Sequence, residues 1–472
     1  VSEPRVLLVN TNREHAPQPV MPVGLCLLAS AVEARGFRPR LLDLCFSRRP
    51  ERDLMPALQE WRPAAIGLGI RNLDNGDSLR PREYLPAAAA LAHLCRAHSA
   101  APLIIGGPAV SIAPARLLEV TGADYAVVGD GEQALPDLLD CLTSGQSPSG
   151  IPGVWSGEET APARVADLNA LAPARPERWL DLGRYLRRGA ALPVQTRRGC
   201  DFACTYCTYR RIEGQSYRVR SPEAVAEEVA EAARLGVRQA EVVDATFNRP
   251  AEHALAVCEA IIRAGAKVHL QAAGINPAGV TKELLMMMRL AGFTTAICSV
   301  DSGSGTMLER LRKGFAADDI GRMARWSREV GLSVLWMFMF GSPGESEATV
   351  RETLACIATE LCDRDRVIAA IGVRVYPDTE LAREALAEGE VTPETDLSRP
   401  VFYFSPQLAP GRVLALLDAS PRRAQITCLE TLQQPLVAWA ARAKSALHLP
   451  GPLWSAIPLH NRFVRHRRRG IQ

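Results

Sequence analysis

The stretch "LPVQTRRGCDFACTYCTYRR", residues 192–211, decides how the chain is read. A short apolar run gives way to a polar turn, and three cysteines, Cys200, Cys204 and Cys207, follow within eight residues. The run reads as a strand and the cysteines as a loop at its carboxyl end. Structural zinc takes four protein ligands, commonly two C-x2-C pairs or one pair with two histidines. Here there are three cysteines, and the next candidates, His253 and Cys258, share one predicted helix. A cubane [4Fe–4S] cluster takes one thiolate per iron. Three cysteines spaced C-x3-C-x2-C leave one iron open to an outside ligand. Tyr206, just before the third cysteine, is placed to shield such a cluster. The open cluster is the preferred reading and a zinc corner the alternative.

Working outward, residues 186–390 alternate strand and helix. Candidate strands are "LPVQTRRG", "AEVVDATF", "KVHLQAAG", "TTAICSVDS", "SVLWMFMFG" and "VIAAIGVRVYP". Six strand–helix units predict a partial (β/α)6 barrel with its chemistry at the strands' carboxyl ends, where the cysteines fall. Residues 1–144 also alternate, from "RVLLVN" to "DYAVVGDGE". Short apolar strands between helices predict an α/β lobe with a doubly wound parallel sheet, buried on both faces. Ligands of such sheets lie beyond the strands' carboxyl ends. Asn12, Arg71, Asn72, Gly106, Gly107, Pro108, Gly129, Gly131 and Glu132 stand there. Glycine at such ends lets backbone approach a bulky ligand. No G-x-G-x-x-G follows the first strand, so NAD is not supported. Residues 145–185 read as a Pro/Gly/Ala-rich linker with a small hairpin near Val154. Residues 391–472 read as a mainly helical C-terminal region, with helices near 411–418 and 433–447.

The bulk numbers limit the partners. The 472 residues are 47% hydrophobic and 23% charged, with net charge +3. Five arginines in the last twelve residues exceed that net, so the body has no nucleic-acid signature. No apolar run reaches the ~18 residues of an integral membrane segment. The start of the chain does not read as a signal peptide. The remaining nine cysteines are scattered, which fits a reducing, cytoplasmic setting. From Arg184 to Arg220 nine arginines face two acids, a charge for a cofactor's acidic groups or an anionic substrate.

"CDFACTYC" resembles the C-x3-C-x-aromatic-C motif of the radical S-adenosylmethionine (SAM) superfamily. "VVDATFN" (242–248), "SVDSGS" (299–304), "MFGSPGES" (339–346) and "VRVYPDTEL" (373–381) are similar to its later strand ends, in the same order. The resemblance implies SAM contacts at Tyr206, Asp244, Thr246, Asp301, Ser302, Gly341 and Tyr376. Asp301 stands where the family more often has Glu, and Asp378 where it more often has Gly. The preceding doubly wound lobe is similar to the cobalamin-binding subfamily. None of the eight histidines has an Asp two places before it, so the Asp-x-His-x-x-G fingerprint of a lower-axial ligand is missing. Arg71 is then the first candidate for the lower cobalt face. A guanidinium cannot ligate cobalt and brings positive charge. A phosphate or carboxylate contact is the alternative for Arg71, and His15 is the rival axial ligand.

Members of this subfamily move a methyl from SAM, via methylcobalamin, to an unactivated carbon or less often phosphorus. The resemblance implies that chemistry here, with a 5′-deoxyadenosyl radical abstracting substrate hydrogen. It implies a small-molecule substrate of a biosynthetic pathway and a flavodoxin- or ferredoxin-type electron donor. A cobalamin-dependent cyclase or ring-rearranging enzyme is the alternative, and a cobalamin or redox sensor a distant one. A methylthiotransferase is disfavoured, because the first lobe lacks three clustered cysteines for a second cluster.

Overall fold

The structure, a computed structural model, describes residues 3–432 apart from residues 158 and 364, with isolated positions at 434, 437, 439 and 443. The expected helix at 433–447 and the Arg-rich end at 461–472 lie essentially outside the described residues.

The first lobe is built on six strands: β1 (Arg5–Asn10), β2 (Arg38–Asp43), β3 (Ala65–Gly69), β4 (Leu103–Gly106), β5 (Tyr125–Val127) and β6 (Val154–Trp155). Their spatial order is β2-β1-β3-β4-β5-β6. The first five are parallel, and β6 closes the edge antiparallel to β5. Strand period explains why the sheet is buried twice over. In β1, Leu7 and Val9 join one apolar cluster while Val6 and Leu8 join another across the sheet. The chain reverses direction of winding between β1 and β3, and the crevice beyond their carboxyl ends is the ligand position of such sheets.

The second lobe begins with β7 (Leu192–Val194). A two-stranded ribbon follows, β8 (Arg197–Arg198) against β9 (Arg218–Val219), and it brackets the cysteine loop. Then come β10 (Gln239–Val242), β11 (His269–Ile275), β12 (Phe293–Asp301), β13 (Ser333–Phe340) and β14 (Arg366–Ile371). The short pair β15 (Val373–Arg374) and β16 (Phe402–Tyr403) precedes β17 (Ile426–Cys428). The main sheet runs β17-β14-β13-β12-β11-β10-β7, so the six expected strands are joined by a seventh from residues beyond 391. All its pairings are parallel, and β7 and β17 are its two edges, an incomplete barrel.

Local signals set the helices around it. Ser221 caps the helix Pro222–Arg234 by accepting from Ala224 N at 3.1 Å, and Val225, Ala226, Val229 and Ala232 form its buried stripe. The largest core unites the barrel with Met21, Cys26 and Cys45 of the first lobe and Tyr185 of the connection. The two lobes therefore share apolar packing. No helix among the described residues is long and apolar enough to cross a membrane.

Candidate functional site

The cysteine loop is clamped at both ends. Gly199 has φ +98, and a Cβ there would strike the Ser216 carbonyl, so glycine is required. The fully buried Arg197 donates to the carbonyls of Gly199 and Thr246 and stacks on Tyr217 at 4.6 Å. Its counter-charge is Asp244, which accepts from Thr196 N at 2.8 Å, Thr196 Oγ1 at 2.5 Å and Arg197 N at 3.3 Å. Glu213 accepts from Gly199 N at 3.1 Å, and burial pushes its pKa up to about 7. Asp244 and Thr246 thus hold the loop against β10.

Cys200 is buried, and Cys204 and Cys207 are partly so. Burial raises all three thiols, Cys207 to about 12, and the charge of a neighbouring thiolate adds to the rise at Cys204 and Cys207. Among the described residues no three His, Cys, Asp or Glu close on a single ion. A cubane spreads its thiolates over separate irons, so this donor set suits a cluster better than one zinc. Binding would draw the protons off the thiols. A cavity of ≈ 300 Å³ borders Cys204 and Cys207; Arg210, Arg211, Arg312 and Arg383 line it together with Asp378 and Glu380, which pair with Arg211 and Arg312.

The later strand ends converge beside this loop. The register of β12 on β13 slips between Ser299 and Asp301, and Asp301 takes φ +65. A non-glycine residue in that region stores strain, a feature that gathers at functional sites. The turn aims Asp301 at Tyr206 Oη, which donates to it, and at Lys313 Nζ, 2.7 Å away. Lys313 also donates to Tyr206 Oη at 3.2 Å and is only 4% exposed. Burial works against that ammonium, but Asp301 and Cys204 outweigh it and its pKa is raised. Ser302 is engaged with Thr353 Oγ1 at 3.0 Å. Gly341, at φ +97, is held through Glu345, which accepts from Gly341 N and from Ser342 N at 3.1 Å. Burial pushes Glu345 up to about 7, and the Ser342 hydroxyl beside it has no protein partner. Tyr376 lies under Arg374 at 4.6 Å, and Arg374 reaches Asp74 of the first lobe at 2.7 Å.

The first lobe presents a more open rim. Arg71 and Asn72 are exposed, and with its amide turned to suit its neighbours Asn72 accepts from Arg71 Nη1 at 3.2 Å. Burial raises Glu241 on β10, and a hydrogen bond from Gln271 and the charge of Arg71 pull it back. This rim meets the cysteine segment directly, where Arg211 Nε donates to the Ser111 carbonyl at 2.9 Å. His15 Nε2 meets the Cys45 carbonyl at 2.6 Å and its ring packs on Phe46, so that nitrogen is taken. Asn12 accepts from Glu14 N at 3.4 Å. Gly106, Gly107 and Pro108 follow β4, yet a Cβ on Gly107 would press on Ile70 O at 2.6 Å and one on Gly129 would strike Ala163 O. Those two glycines serve loop-on-loop packing. A Cβ on Gly131 would meet Leu28 at 2.9 Å, again inside the lobe. Glu132 is bound to the barrel: with Asp130 it holds the buried Arg198, and Asp130 also holds Arg218.

Two family models match the chain. The B12 binding domain covers residues 10–139 and the radical SAM superfamily covers residues 194–357. The chain belongs to the cobalamin-binding radical SAM enzymes. The fold of this family member is also that of TsrM from Kitasatospora setae, a radical S-adenosylmethionine methyltransferase solved with cobalamin and a [4Fe-4S] cluster bound. The TM-score is 0.85 at 22% identity, over 99% of each chain. Among curated relatives, a tryptophan 2-C-methyltransferase from Streptomyces laurentii is 25% identical over 457 residues, covering 81% of this chain and 74% of its own. A cytidylyl-2-hydroxyethylphosphonate methyltransferase from Streptomyces wedmorensis is 22% identical, covering 84% of both. The cofactors of this radical SAM enzyme are a [4Fe–4S] cluster, SAM and cobalamin.

Sequence reasoning missed Lys313, Arg197 and Glu241. A signal existed for the first: it is one of four lysines in an Arg-rich chain. Arg197 lay in view beside the cysteines without a partner to give it meaning. Glu241 stood in an apolar strand, "AEVVDATF", where an acid is a conspicuous intruder.

Proposed function

We propose that the protein is a methyltransferase that moves a methyl group from SAM, by way of cobalamin, to a carbon atom of a small biosynthetic molecule. One observation carries this: the carboxyl-end segments of the two sheets meet directly, Arg374 of β15 on Asp74 beyond β3 at 2.7 Å and Arg211 of the cysteine segment on the Ser111 carbonyl beyond β4 at 2.9 Å, so both ligand positions lie at one seam. Two cofactors and a substrate that share a chamber react without a bimolecular encounter. When bound, the cluster supplies an electron and an open iron for SAM, and cobalamin supplies a carrier for the methyl group.

The chain's own residues do the rest. Cys200, Cys204 and Cys207 would hold the cluster, and Arg197, Asp244 and Glu213 fix their loop. Asp301 and Tyr206, kept in place by Lys313, and the Gly341 turn would hold SAM. Arg71 would bring a non-ligating positive charge to cobalamin. The buried Arg198 network with Asp130 and Glu132 keeps the lobes in register and water out of the seam. The division of labour follows residues 1–144 and 186–390. The arginines of the ≈ 300 Å³ cavity outnumber its two carboxylates, a net positive charge that suits an acidic flavodoxin- or ferredoxin-type donor. Free cysteines throughout the described chain fit the cytoplasm.

The test is anaerobic reconstitution with both cofactors, a low-potential reductant and SAM carrying an isotope-labelled methyl. Label on cobalamin is expected. Deoxyadenosine formed without label ever reaching cobalamin would move the assignment to a cyclase or rearrangement.

A further inference from the structure

Three polar side chains line up inside the barrel. Glu241, Gln271 and Thr295 are register partners on β10, β11 and β12. Their chain neighbours Val242, Ala272 and Ala296 belong to the apolar layer under the helices, so these three point into the lumen. Thr295 Oγ1 donates to Gln271 Oε1 at 3.1 Å, and Gln271 Nε2 donates to Glu241 Oε1 at 2.5 Å. That relay fixes the Gln271 amide and aims the carboxylate. Glu241 Oε2 has no hydrogen-bond partner among the described residues, and it is not sealed off from solvent. The lumen around the relay is apolar, with Leu335 and Ile368 buried against Ile297 and Met337. No ion pair joins Glu241 to Arg71 across the chamber, although the charge of Arg71 is felt at the carboxylate.

We propose that Glu241, oriented by Gln271, is the substrate-anchoring residue, and that it selects a small, largely apolar molecule carrying an N–H donor. An apolar pocket with a few convergent polar groups is how small-molecule sites obtain orientation. A carboxylate oxygen with an open lone pair accepts an N–H and rejects an isostere that lacks it, because the buried acceptor is then left unpaired. On the reading above Arg71 serves cobalamin, which leaves Glu241 for substrate. The inference rests on that reading.

The experiment uses the full chain reconstituted with both cofactors and ligand-observed NMR with indole, 1-methylindole and benzofuran. Indole is expected to bind at least about tenfold more tightly than the two probes without N–H. Glu241→Gln should erase that preference while cluster and cobalamin absorbance stay unchanged. Gln271→Met, which leaves the carboxylate in place, should weaken the preference without erasing it. Equal binding of indole and benzofuran, an unchanged preference in Glu241→Gln, or no binding of indole would overturn the proposal. If the preference depends on Glu241 but labelled methyl never reaches cobalamin, methyl transfer fails and the anchoring role stands.

Discussion

The two rims that meet at the seam between the lobes are built on opposite plans. The barrel rim spends buried charges on itself: Asp301 with Lys313, Asp244 with Arg197, Glu345 on two backbone amides. The lobe rim leaves Arg71 and Asn72 exposed and fills its glycine turns with its own backbone. A site that must hold a cluster and SAM at fixed separation profits from electrostatic preorganisation. A rim that receives a large flat cofactor needs topology and a few free groups. The same kind of substitution should therefore cost stability on one side and binding on the other.

The largest effect is expected at the cluster. Replacing Cys200, Cys204 or Cys207 by Ala should abolish the iron–sulfur absorbance after reconstitution, while cobalamin still binds the other lobe. Loss of both cofactors would break the comparison. Next comes Lys313→Met, which strands the buried Asp301 carboxylate. Removing one partner of a buried pair costs about 3–5 kcal/mol. Denaturant unfolding should show that loss, and Lys313→Met combined with Asp301→Asn should recover most of it.

Glu345 gives a pH signature. Its folded pKa of about 7 lies above the ordinary value of 4.5. Its contribution is therefore fully present below pH 4.5 and is lost as pH rises through 7. Relative to the wild type, Glu345→Gln should become more stable between pH 5 and pH 8, by roughly 3 kcal/mol at most. A constant difference across that range would show that the carboxylate is not held in this state. The smallest stability effect belongs to Arg71→Ala, within about 0.5 kcal/mol for an exposed side chain. Its consequence should appear instead as a changed cobalamin spectrum.

Legibility in the sequence followed the same divide. The barrel was readable because its strands alternate with helices and because three cysteines sit where a strand ends. Its seventh strand, "ITC" at 426–428, was too short to carry a period. Tyr206 was named from its place before Cys207 and Asp301 from the family resemblance, and the structure brings them together. Lys313 was not, because its pairing with Asp301, twelve positions earlier, depends on the left-handed turn at Asp301. In the lobe, the strand order was not encoded in any local pattern, and Glu132 looked like a ligand contact because its partner Arg198 lies 66 residues on. Ion pairs between lobes are long-range facts, and no window of sequence contains them.

The central claim is that both rims open on one chamber. Electron paramagnetic resonance on the reconstituted protein tests it directly, with the cluster reduced and the cobalt in its paramagnetic divalent state. The account predicts magnetic coupling between the two centres, visible as splitting or faster relaxation that vanishes when either cofactor is left out. Two spectra that add without interaction would contradict it.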